Sequence, residues 1–212
     1  MSEPTLLVHT CCGLCLAALL DPLRRFGRFT VYFFNPNIQP LLEFRRRAKS
    51  VHVLAEQQRL DAIVDERYDA KTFLKSVPWD RPQRCLACYR MRLKATAEMA
   101  AEKGFSAFTT TLLASGHQDH EAVRRIGREE AAPRGLRFVE EDWRPLAARG
   151  HEEAKRRGLY RQQYCGCLFS EQERFEDTQA NRYRGPSGTK PARPVGKPAR
   201  PVGRSEEGGG QA

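Results

Sequence analysis

Five short apolar runs alternate with stretches of helical periodicity, and this alternation is what most limits the fold. Residues 5–9, 29–34, 62–64, 107–111 and 137–140 read as strands, and 14–26, 41–59 and 119–130 as helices. A loop and a small helix follow residue 64. Tyr89, Leu93, Thr96, Ala97 and Ala100 then form an apolar stripe at helical spacing up to Gly104. Strands interleaved with helices predict a parallel sheet, hence an α/β domain. Open sheets of this class bind ligands beyond the carboxyl ends of their strands. The segments HTCCGLC, NPNIQP, TTTLLASGHQD and EEDWRP each follow a predicted strand, so they converge on one site.

HTCCGLC holds Cys11, Cys12 and Cys15; the other four cysteines form two tight pairs, Cys85 with Cys88 and Cys165 with Cys167. Buried thiols often act as small hydrophobes, but all seven lie in clusters. Three readings stay open on spacing alone. A dithiol enzyme would use Cys12 and Cys15, whose place before a helix lowers a thiol pKa; it leaves five cysteines idle. Structural zinc takes four ligands, brought together over short loops; here the pairs are far apart and three ligands are left over. An iron–sulfur cluster takes four thiolates, and the remaining three suit a second metal ion beside it.

The composition, 40% hydrophobic and 29% charged over 212 residues, fits one globular domain. No apolar stretch approaches the roughly 18 residues of a membrane span, and MSEPTLLVHT lacks the basic and apolar regions of a secretory signal. A cytoplasmic protein without membrane partners is expected, and in that reducing compartment disulfides are disfavoured. The formal net charge of +10 favours a polyanion. Half of the excess falls after residue 177, where seven basic residues face Glu206 and Glu207. That segment contains a tandem KPARPVG repeat at 190–203 and is expected to be a disordered Pro/Gly-rich tail over 178–212, dispensable for the domain at 1–177.

With these residues in view the chain resembles the cobalamin-independent epoxyqueuosine reductases of the QueH type. The likeness rests on HTCCGLC, FFNPNIQPLLEFRRR, RCLACYRMRL, FTTTLLAS, DWRP and GLYRQQYCGCLFSE. Leu14 and the segment SGHQDHE depart from the family pattern, and neither removes a cysteine. The resemblance implies a Rossmann-like sheet akin to the adenine-nucleotide-hydrolase-like (HUP) fold, without the SGGxDS phosphate loop. It also implies a [4Fe-4S] cluster with an adjacent mononuclear metal, iron by expectation. The activity implied is reduction of epoxyqueuosine to queuosine at the wobble base of tRNA. Some relatives carry aspartate at the position of Cys15, as suits a metal ligand.

Removing an epoxide oxygen to leave an alkene consumes two electrons and two protons and releases water. No flavin or nicotinamide fingerprint is present, so an external one-electron donor is expected. Side chains of adjacent residues on an extended chain point opposite ways. On that ground Cys12 joins Cys85, Cys88 and Cys167 on the cluster, and Cys11, Cys15 and Cys165 hold the single ion. Asp142 and Tyr164 are the candidate proton donors. His9 reads as a satisfied core residue and is left out of the ligand set. Arg45, Arg46 and Arg47, with Arg90, Arg92 and Lys94, are the candidate contacts to tRNA phosphates; no DNA partner is expected. Tyr32, Tyr89 and Trp143 are available for base stacking.

Overall fold

Leu6–His9 (β1) is buried along its whole length and pairs in parallel with Phe29–Phe33 (β2) on one side and Ala107–Thr110 (β4) on the other. The computed structural model describes residues 6–176. Asp61–Val64 (β3) flanks β2, and Arg137–Phe138 (β5) flanks β4. The order β3-β2-β1-β4-β5, parallel throughout, makes β1 the point where the winding reverses. A strand covered on both faces must be apolar on both, as LLV is. The Rossmann-like α/β class follows from this topology. The chain's contacts divide it after Glu176; the expected tail lies outside the described residues.

Seven α-helices occur among the described residues. They are Gly13–Arg24 (α1), Leu41–Gln58 (α2), Ala70–Ser76 (α3), Gln83–Glu102 (α4), His120–Ala131 (α5), Ala147–Arg156 (α6) and Leu168–Phe175 (α7). The apolar stripe begins at Tyr89, but α4 starts six residues earlier, so Cys85 and Cys88 stand in its first turns rather than in a loop. The fourth strand ends at Thr110, and Thr111 opens a 3₁₀ turn over Thr111–Ala114.

Two local features set the site. α1 approaches α2 so closely that a Cβ on Gly13 would fall 2.3 Å from Ser50 Oγ and 2.7 Å from the Ser50 carbonyl oxygen. Gly166, between Cys165 and Cys167, has φ +142°, open to glycine and strained for other residues; a Cβ there would also lie 3.1 Å from Asn37 and Ile38 atoms.

Candidate metal centre

β1 delivers Cys11 and Cys12 to the carboxyl edge of the sheet, and the first turn of α1 brings Cys15 back over them. The three sulfurs lie within 4.8 Å of one another, the one group of metal-ligating side chains this tight among the described residues. Cys12 is buried, and Cys11 and Cys15 are half-buried. Cys12 caps α1, its sulfur accepting from the Cys15 backbone N–H at 3.4 Å. The Thr111 hydroxyl donates to Cys11 Sγ at 3.4 Å and accepts from the Cys11 N–H at 3.1 Å. Gln162 Nε2 donates to Cys12 Sγ at 2.9 Å and, more loosely, to Cys15 Sγ at 3.9 Å. Hydrogen bonds from Cys12, Cys15 and Thr111 hold the Cys11 thiol well below its usual range against the opposing effect of burial. Burial pushes Cys12 up, and the pull of Cys11 and Cys12 pushes Cys15 up.

The separation of Cys11 from Cys12 expected from an extended chain does not hold. Their sulfurs are 3.7 Å apart, because the backbone turns into α1 directly after them. Cys12 groups with Cys11 and Cys15, and Cys165 stands with the other cysteines. Cys88 and Cys167 share a small buried cluster with Phe73 and Val77. Burial, reinforced by Cys165, Cys167 and Cys85 nearby, pushes the Cys88 thiol up to about 12. Cys165 is exposed and accepts from Gln118 Nε2 at 3.4 Å. Among the described residues only Cys11, Cys12 and Cys15 form a tight sulfur trio, while Cys85, Cys165 and Cys167 lie within electrostatic reach of Cys88.

Two of the arginines assigned to tRNA are buried inside this arrangement. Arg47 is 1% exposed, pairs with Glu43 at 2.7 Å, and donates to the carbonyls of Cys165 and Tyr164 at 2.8 and 2.9 Å. It clamps the loop that carries Cys165 and is closed to phosphate. Arg92 is likewise 1% exposed; its Nε donates to the Cys88 carbonyl at 3.3 Å and its Nη2 has no hydrogen-bond partner. Burial lowers its pKa, but the neighbouring sulfurs of Cys88, Cys165 and Cys11 raise it, and the net shift is upward. Arg92 has no carboxylate partner among the described residues. A buried cation requires an anion, and deprotonated cysteines beside it would supply one. The sulfur donors and this cation together fit a thiophilic metal or cluster.

Other expectations change as well. Asp142 is exposed and chelated by Arg144, whose Nε and Nη2 donate at 2.8 and 2.6 Å; those bonds hold its carboxyl far below the usual range. Its carboxylate also accepts from the Arg144 backbone N–H at 3.0 Å. The Tyr164 hydroxyl donates to the Gln39 carbonyl at 2.7 Å, and burial raises its pKa. Arg90 is drawn to Glu129 and Glu130. Arg45, Arg46 and Lys94 are exposed. Tyr32, Tyr89 and Trp143 are buried, and the exposed indole is Trp79, its ring tilted 53° to that of Phe169 with centroids 6.1 Å apart. His9 is a satisfied core residue, bonded to Thr110 Oγ1 at 2.8 Å and the Phe34 carbonyl at 3.2 Å; burial lowers its pKa to about 4. Thr111, Gln118 and Gln162 escape sequence reading because polar neutral residues beside cysteines carry no spacing signal.

Fold and site define a class: a parallel α/β protein with a cysteine cluster able to hold a metal ion where the sheet winding reverses. The family model described as "Epoxyqueuosine reductase QueH" matches residues 6–173. A protein of that name from Dehalococcoides mccartyi is 35% identical, over 81% of this chain and 95% of its own. One from Thermotoga maritima is 33% identical over 85% and 98%, and one from Haemophilus influenzae 31% identical over 86% and 76%. The chain belongs to the epoxyqueuosine reductase QueH family. None of its described helices is long and apolar enough to cross a membrane.

Proposed function

We propose that this chain is an oxidoreductase that converts epoxyqueuosine in tRNA to queuosine, with a mononuclear iron on Cys11, Cys12 and Cys15 and a [4Fe-4S] cluster on Cys85, Cys88, Cys165 and Cys167. The observation that carries the reading is the tight Cys11–Cys12–Cys15 trio, with Cys88 and Cys165 near a buried Arg92 guanidinium that has no carboxylate partner among the described residues. When bound, the iron centres supply electrons singly and a Lewis acid for the epoxide oxygen. The reaction takes two electrons from an external one-electron donor and two protons, and the oxygen departs as water. Half-buried Cys11 and Cys15 leave one side of the triad open to a ligand. Arg92 offsets the charge of the surrounding thiolates, and Arg47 holds the Cys165 loop in place. Exposed Arg45, Arg46 and Lys94 suit phosphate contacts in a cytoplasmic tRNA complex, and Trp79 suits stacking of an unpaired base.

The test is anaerobic purification with iron and labile-sulfide analysis, followed by turnover on tRNA carrying the epoxide. About five irons and about four sulfides per chain are expected, with conversion to queuosine once a reductant is added. Zinc without sulfide would replace this reading with a structural metal module, and metal-free protein with a reactive Cys12–Cys15 pair with a dithiol enzyme.

A further inference from the structure

The loop at 157–167 is pinned at several points. Leu159 N–H bonds the Ala154 carbonyl at 2.8 Å, the Tyr160 hydroxyl donates to Glu43, and Arg47 grips the carbonyls of Tyr164 and Cys165. Gln162 sits between these anchors, its Nε2 on Cys12 Sγ at 2.9 Å. Its Oε1 is buried and has no hydrogen-bond partner. A buried amide oxygen left unpaired is costly, so its retention beside three thiols calls for a partner absent from the protein itself. An N–H donated to a ligating thiolate draws electron density off the sulfur and fixes its direction.

We propose that Gln162 is the non-sulfur member of the triad centre: a positioning residue whose amide N–H holds Cys12 Sγ as a ligand and whose buried carbonyl oxygen accepts from an O–H donor, water or alcohol, held beside the bound ion. This rests on the proposal that the triad holds a metal. Two pinned flanks make the amide pre-organised, and a supporting group held this way keeps a site within the narrow tolerance that metal chemistry needs. Gln118 plays the matching part for Cys165 in the other set, which supplies a control.

The experiment uses full-length Gln162→Met and Gln162→Asn, which lose the donor or withdraw it by one methylene, beside Gln118→Met. Cobalt(II) is added to one equivalent of metal-free chain under argon. Chelator competition gives the affinity, the thiolate-to-cobalt charge-transfer band reports the sulfurs, and the melting temperature of the metal-free chain reports the fold. Both Gln162 variants are expected to bind cobalt about 10–100-fold more weakly. Their band should move to lower energy as the thiolate loses its hydrogen bond, while the metal-free melting temperature stays close to the parent's. An unchanged band and affinity, or a band shift in Gln118→Met alone, would overturn the assignment. Failure of the parent chain to reduce the epoxide with these cobalt results intact would instead remove the reductase reading and leave the role of Gln162 standing.

Discussion

Arg47 and Glu43 stand one helical turn apart on α2, both nearly sealed from solvent, with the Tyr160 hydroxyl on the same carboxylate. Arg47→Met would strand Glu43 without its cation, and breaking a buried pair from one side costs about 3–5 kcal/mol. Replacing both partners, Glu43→Leu with Arg47→Met, should recover a large part of that loss, since apolar replacements of similar volume are often neutral. Urea denaturation of the metal-free chain measures both; a single variant as stable as the parent would mean the pair is dispensable. The burial of Arg47 was readable from its spacing with Phe44, Ala48, Val51 and Leu54, which define the inner stripe of α2. Read as a run, Arg45-Arg46-Arg47 looks like one solvated face; read at 3.6 residues per turn, its third member points inward. Arg92 sits among the core positions of α4 with Cys88, Tyr89 and Thr96 in the same way. The cysteines announced themselves by clustering. Their grouping did not, because a turn at Cys12 decides it and residue spacing carries no such turn.

α1 links the triad to the rest of the fold, and at Gly13 it packs directly against Ser50 of α2. Gly13→Ala would set a methyl 2.7 Å from the Ser50 carbonyl oxygen, a backbone atom that cannot rotate away. The helices must part, at an overpacking cost of about 1–3 kcal/mol. Since Gly13 lies between Cys12 and Cys15, that displacement should also lower the metal held by the triad. Thermal unfolding and metal content of the same preparation test this, and a stable variant with full metal would show that α2 yields instead. Strands and early helices were readable because each presents an apolar face with a clear period. α6 buries only Gly150 and Ala154, and no residue of α7 is fully buried, so neither offers a stripe to find. The early start of α4 was hidden because its first turns carry cysteines and arginines where a core helix usually carries aliphatics.

Across the molecule, surface cations and interior thiols make separate demands on an RNA substrate. If Arg45 and Arg46 each touch a phosphate, replacing both with Ala should weaken tRNA binding and reduce the salt slope by about 0.7 per lost contact, leaving the metal content unchanged; an unaltered slope would move the RNA surface off α2. The metal sets allow a sharper division. Cys12 shares its site with Cys11 and Cys15, so Cys12→Ala and Cys15→Ala should behave alike. Each is expected to lose about one iron and all epoxide reduction while keeping labile sulfide and the visible absorbance of a four-iron cluster. Cys88→Ala should lose the absorbance and the sulfide, because its sulfur lies in the other set, beside Cys167. Cys15→Asp should recover part of the turnover, since a carboxylate is also anionic and suits divalent iron. The decisive comparison is Cys12→Ala against Cys88→Ala in absorbance and sulfide per chain. Equal bleaching would put Cys12 on the cluster, as alternation along an extended chain would have it. Retained colour in Cys12→Ala alone ties electron delivery to the four-cysteine set and substrate activation to the three.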